Sequence, residues 1–345
     1  MINEKNRQRK LTLPLRFLMW LWIIGVISAA VILFGSCQNT ERDPVMTEAS
    51  EIQSTVTSDP IPAEITNLIG IGYDEDVAEA LYAEEPEKAK RLSELEYSPF
   101  LADLMFDPHA VAKDAERYLA YSKNHPDLSA YDVILYVHCR RDYPFYENTL
   151  PAENPDSYLV LVNKYFYLPE DYEPADLIPL SAESSFSDLS EPILGRREAV
   201  LQVEALNDAM EARIEKRIGI SNAYRSYAHQ EGVHAKSIEE NGSANAAAVS
   251  ARPGFSEHQT GLAFDLHADA DIMERFYQSE QSDWLISNAH RFGFTIRYQE
   301  KFIPYTGYEK EEWHIRYVGV DAATIMYKES ICLEEYLLRY ADKPE

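Results

Sequence analysis

The hydrophobic pattern of the chain opens with FLMWLWIIGVISAAVILFG, an uncharged apolar run from Phe17 to Gly35 that is long enough to cross a bilayer as a helix. Residues 38–63 are rich in Ser, Thr, Glu, Asp and Pro and nearly free of aromatics, which is the composition of a tether that cannot bury enough surface to fold. From Glu64 to Leu128, short amphipathic stretches such as Asp76 to Ala83 and Ala110 to Ser122 predict helices separated by Pro86, Pro99, Pro108 and Pro126. YDVILYVH (Tyr131 to His138) and YLVLVNKYFY (Tyr158 to Tyr167) read as strands. A Pro-rich and then polar stretch, through 181–191, predicts a connecting loop.

Beyond it, Val203, Leu206, Met210 and Ile214 recur at helical spacing and predict a core-facing helix closed by Gly219. A strand over Ile220 to Ser226, a helix over Tyr227 to Glu240 stopped by Asn241-Gly242, and a strand over Leu262 to Leu266 follow. A helix over Asp283 to Arg291 and strands over Phe294 to Tyr298 and Trp313 to Val318 complete the pattern. Helices alternating with short strands predict an α+β fold: a small antiparallel sheet with flanking helices, preceded by a mainly helical N-terminal region and a membrane anchor. The expected division is a basic stub and anchor or signal over 1–37, the tether over 38–63, a helical or mixed region over 64–180 and a catalytic domain over 181–345.

Charge refines the first and last of these. Lys5, Arg7, Arg9, Lys10 and Arg16 precede the apolar run, which places the N-terminus in the cytoplasm and the body outside. The length of the run favours an uncleaved anchor; a lipid-modified Cys37 is the alternative, although Phe34-Gly35 fits that pattern poorly. The chain carries a net charge of −26 despite that basic start, so its body repels nucleic acid. Cys139 and Cys332 allow one bridge or two packed thiols.

The candidate chemistry lies in SEHQTGLAFD, Ser256 to Asp265, and in EEWH, Glu311 to His314. Two His and one Asp, here His258, Asp265 and His314, form a ligand set with which proteins hold one catalytic Zn²⁺ and leave a position open for water. Gly261 supplies a bend that lets His258 and Asp265 converge, and His267, on the same strand face as Asp265, is a fallback ligand. Glu311 is a candidate base, but strict alternation puts Glu312, not Glu311, on the face of His314. Arg225 stands at an element end, where it could meet substrate. The aromatic residues Trp284, Phe292, Phe294 and Trp313 are read as core rather than as a substrate groove.

These segments, with AYRS (Ala223 to Ser226), ARPGFSEHQTG (Ala251 to Gly261), Arg297-Tyr298, Thr306-Gly307-Tyr308 and LEEY (Leu333 to Tyr336), resemble the VanY-type zinc D-alanyl-D-alanine carboxypeptidases over about Val200 to Tyr336. Related L,D-carboxypeptidases share the pattern. The resemblance implies a cell-wall peptidase that removes the last D-amino acid from peptidoglycan stem peptides with one Zn²⁺. It also implies His258, Asp265 and His314 as ligands, Glu311 as base, Arg225 at the substrate or oxyanion, and Ser256 and Gln230 as hydrogen-bonding groups. Two departures stand out: Ala223 where members commonly have Gly, and Glu312 where many have Pro. Arg225, Arg252 and Arg297 all remain open as readers of the substrate carboxylate. An L,D-carboxypeptidase that trims tetrapeptides is the near alternative, and a non-catalytic wall-binding or sensing protein is the distant one.

Overall fold

The computed structural model describes residues 60–181, 192–242, 250–268 and 273–341. The apolar run, Cys37 and most of the tether lie outside these residues. Among the described residues no helix is long and apolar enough to cross a membrane. From Pro60 onward the chain forms one unit.

The first part of that unit is helical: α1 (Ala63–Ile71), α2 (Glu75–Glu84), α3 (Pro86–Ser93), α4 (Pro99–Met105), α5 (Ala115–Asn124) and α6 (Ala130–His138). Pro86 and Pro99 each open a helix, where the missing N–H costs nothing. Leu68, Leu81, Leu92, Leu101 and Leu104 meet Val133, Ile134 and Val137 in one core. The last three belong to α6, so the strand expected over Tyr131 to His138 is a helix. Ser129 and Asp132 make a capping box at its start. Because α6 is buried on several sides, its apolar run has no helical period to read.

The second expected strand is also replaced. Only Phe166–Tyr167 (β2) pairs, in parallel, with Leu150–Pro151 (β1). Upstream of β2 the backbone finds side-chain partners instead: the carbonyls of Tyr158 and Val160 accept from the Arg316 guanidinium. Val160, Val162 and Tyr165 are buried, which is the source of the strand-like sequence.

A short antiparallel pair, β3 (Leu177–Pro179) with β4 (Leu194–Arg196), leads into α7 (Arg197–Ile214). This helix ends in the left-handed Glu215, not at Gly219, which opens β5 (Gly219–Asn222). After α8 (Tyr227–Asn241) come β6 (Ala263–His267), α9 (Glu280–Asn288), β7 (Phe294–Tyr298), β8 (Glu311–Tyr317), α10 (Val320–Glu329) and α11 (Leu333–Tyr340). The sheet has the order β5-β6-β8-β7 and is antiparallel throughout. Ile220, Phe264, Leu266 and Ile315 share a core with Val203, Leu206 and Met210 of α7. Phe294 lies in this core, and Trp284, Phe292 and Trp313 pack against it. The small sheet with flanking helices is thus as expected.

Candidate metal centre

Register brings the polar residues together. Across the sheet Asn222 is opposite Asp265, and Asp265 is opposite His314. Directly opposed residues point to one face, so these three form a row away from the core. A 3₁₀ turn, Glu257–Thr260, delivers His258 beside them. It is closed by Gly261 at φ 67°, where a Cβ would come within 3.0 Å of Leu177 and 3.1 Å of Arg196.

One carboxylate bridges the two imidazoles. Asp265 Oδ2 is 3.2 Å from His258 Nε2, and Oδ1 is 3.2 Å from His314 Nδ1. The distal nitrogens have their own partners. His258 Nδ1 lies 2.7 Å from the carbonyl of Ala223, and His314 Nε2 lies 3.4 Å from Glu257 Oε2. Protons placed on those distal nitrogens leave His258 Nε2 and His314 Nδ1 with lone pairs aimed at Asp265. Ligand atoms of the three residues lie within 4.8 Å of one another, and all three are buried. Two imidazole nitrogens and a carboxylate oxygen suit Zn²⁺. His267, though buried, is not part of this group.

Glu311 reaches the same place because β8 bulges. Ile296 is opposite Ile315 but Tyr298 is opposite Glu311, so two steps along β7 match four along β8. Alternation fails there, and Glu311 Oε2 comes 3.6 Å from His314 Nδ1. Glu312 instead pairs with Lys310 at 2.9 Å and lines a different groove. Burial pushes the Glu311 carboxyl up to about 7, with the Asp265 and Glu257 charges adding to the effect. Burial opposes ionisation of Asp265 too, but His258 and His314 hold its carboxyl well below the usual range.

Residues 193–320 match the model of the family described as VanY, D-alanyl-D-alanine carboxypeptidase. The putative carboxypeptidase YodJ of Bacillus subtilis (strain 168) is 36% identical over 187 residues, covering 53% of this chain and 68% of the relative. VanXYC of Enterococcus gallinarum, a bifunctional D-Ala-D-Ala dipeptidase and D-Ala-D-Ala carboxypeptidase, is 33% identical over 183 residues, covering 52% of this chain and 92% of its own. Among solved structures, the LdcB LD-carboxypeptidase superposes with a TM-score of 0.52 at 34% identity, over 55% of this chain and 90% of that one. The chain belongs to the VanY carboxypeptidase family. It is a zinc carboxypeptidase.

In this VanY-family enzyme a cleft of about 450 Å³ opens over the three candidate ligands, lined also by Arg225, Ser256, Tyr298, Tyr308, Glu311 and Trp313. Arg225 follows β5, and its guanidinium lies 3.8 Å from Asp265 Oδ2. Gln230 also lines the cleft, but both ends of its amide are engaged. Its Oε1 accepts from Arg225 at 2.7 Å, and its Nε2 donates to the carbonyl of Ala251 at 2.7 Å. Gln230 therefore aims Arg225 at the centre. Ser256 is buried, and its hydroxyl accepts from the His258 N–H at 3.4 Å.

Two of the arginines left open by the sequence are committed elsewhere. Arg297 is buried and bonds to Glu257 and Glu334, so it is not a substrate reader. Arg252 lies over the Tyr146 ring, 4.1 Å from its centroid. Cys139 and Cys332 are buried free thiols. Sequence reasoning missed Glu257, the partner of His314, and Arg316, which donates to Glu257 at 2.9 Å. Proximity to His258 was the only signal for Glu257. Arg316 shares the strand phase of His314, a cue that strand alternation offers.

Proposed function

We propose that the protein is a membrane-anchored D,D-carboxypeptidase that removes the terminal D-alanine from peptidoglycan stem peptides outside the cell, with the apolar run 17–35 as its anchor. The observation that carries this reading is the meeting of Glu311 and Arg225 with His258, Asp265 and His314 in one cleft, in a chain of a family described by that activity.

His258 Nε2, Asp265 and His314 Nδ1 would hold the metal. Zinc bound there supplies Lewis acidity that makes water nucleophilic near neutral pH and polarises a carbonyl. Glu311, its carboxyl pushed up to about 7 by burial, is suited to take the proton from the attacking water. It returns that proton to the amine as the C–N bond breaks, and the second proton of the water passes from the new carboxyl group to the same amine, so the terminal amino acid leaves as an ammonium and the carboxylate stays on the shortened stem. Arg225, steered by Gln230, stabilises the oxyanion that develops on the attacked carbonyl. Ser256 lines the same cleft, and its hydroxyl accepts from the His258 N–H in the loop that carries that residue.

The likeness to the LdcB LD-carboxypeptidase supports a second reading, in which tetrapeptide stems are trimmed to tripeptides. Comparing kcat/KM on matched pentapeptide and tetrapeptide stems separates the two. A preference for the pentapeptide supports D,D-cleavage; turnover of the tetrapeptide alone reassigns the enzyme.

A further inference from the structure

The LEEY segment, Leu333 to Tyr336, plays no part in the chemistry above, yet its Glu334 is 0% exposed. Glu334 sits in the first turn of α11 within a fully enclosed set of charges: Glu257 at 2%, Arg297 at 1% and Arg316 at 0% exposure. The Arg297 guanidinium faces both carboxylates. Its two terminal nitrogens grip Glu334 at 2.7 and 3.0 Å, and its Nε donates to Glu257 Oε1 at 2.8 Å. Arg316 donates to the same Glu257 oxygen at 2.9 Å and to the carbonyls of Tyr158 and Val160. Glu257 Oε2 is left facing His314 Nε2 at 3.4 Å.

Two guanidiniums balance two carboxylates, so the cluster is neutral as a set. Burying four charges is expensive, and an apolar cluster of equal volume commonly gives a fold as stable. Packing therefore does not account for it. What the cluster achieves is an anion fixed behind one imidazole, 3.4 Å from His314 Nε2, while the other ring nitrogen, Nδ1, faces Asp265 at 3.2 Å. If Glu334 lost its charge, the set would carry one excess positive charge beside a site meant for a cation, and Arg297 would be free to draw Glu257 away from His314.

We infer that Glu334 is a positioning residue for zinc, acting through Arg297 to keep Glu257 seated against His314. The inference rests on the reading that His314 is a zinc ligand. The nearby Glu335 offers an internal control: it is also buried on α11, but it bonds to Tyr131 and Arg339 and has no link to His314.

The test is the zinc dissociation constant of the full chain, measured by competition with a chromogenic chelator, together with the thermal midpoint of the metal-free protein. Glu334→Gln should weaken zinc binding by about tenfold to a hundredfold. Glu335→Gln should leave it unchanged, whatever either does to the midpoint. A folded Glu334→Gln protein that binds zinc as the wild type does, or a Glu335→Gln protein weakened equally, overturns the inference. Should Glu334→Gln not fold, Arg297→Lys keeps the charge but loses the fork. It must weaken zinc in the same direction, and wild-type affinity in that variant is equally fatal. His314→Ala tells the two readings apart. If it binds zinc normally, the ligand assignment fails; if it alone loses zinc, only the role of Glu334 fails.

Discussion

Glu311 reaches the candidate ligands, which Glu312 does not, and burial lifts the Glu311 carboxyl to about 7. Glu311→Gln should lower kcat by about 10²–10⁴ while zinc content and thermal midpoint hold, as checked by steady-state kinetics and metal analysis. Arg225→Ala should cost about 10²–10³ in kcat if its cation meets the oxyanion. A loss confined to KM would instead make Arg225 a reader of ground-state substrate. Lys164 gives a prediction about stability. Burial lowers its ammonium from 10.5 to about 8, although it donates to the Gly307 carbonyl and lies over the rings of Phe145 and Tyr308. Below pH 8 both folded and unfolded chains hold this proton; between 8 and 10.5 only the unfolded chain does. Stability should therefore rise with pH across that window, by roughly 3 kcal/mol relative to Lys164→Met. Parallel pH–stability curves for the two proteins would count against a buried ammonium. At this scale the candidate ligand group was legible, because metal ligands must be particular residue types. Glu257 and Glu334 were not, since a buried carboxylate and a solvated one look alike in a sequence.

Among the elements, β8 decides which of two adjacent glutamates enters the site. Period-two reasoning favoured Glu312, and it fails because the bulge against β7 inserts extra residues between Glu311 and Ile315. A bulge depends on the partner strand, so no local pattern announces it. Strands β6 and β7 were legible because each has one side in a packed core and is set off by Gly261 or Gly293. Helix α6 was read as a strand because burial on several sides erased its period, although the Ser129 and Asp132 caps stood in the sequence. The turn before β6 carries its own prediction. Gly261→Ala would place a Cβ at positive φ against Arg196 and Leu177, and should destabilise the fold by about 1–3 kcal/mol. Because His258 is in this turn, zinc affinity should fall as well. A midpoint and a zinc affinity both equal to wild type would show that the turn does not need glycine.

For the whole molecule, the helical region and the VanY-family part are joined by burial and by hydrogen bonds. Leu338 of α11 lies in the core formed by α1 to α6, and the carbonyls of Tyr158 and Val160 hold Arg316 behind the site. Lys164 and the Gly307 carbonyl tie the same stretch to the turn before β8. Deleting Glu64 to Leu128 should therefore reduce turnover on a small peptide and on intact wall alike, with a lower thermal midpoint. Loss on wall alone would make this region a docking module. Such long-range ties are invisible to local periodicity, which is why the sequence suggested separable parts. Metal-dependent removal of one terminal D-alanine can be followed by mass spectrometry of a pentapeptide stem after incubation with the purified full chain. Loss of a single alanine is expected with zinc, and none after chelation or with Glu311→Ala. An intact pentapeptide in the presence of zinc, or cleavage that persists in the Glu311→Ala protein, would contradict it.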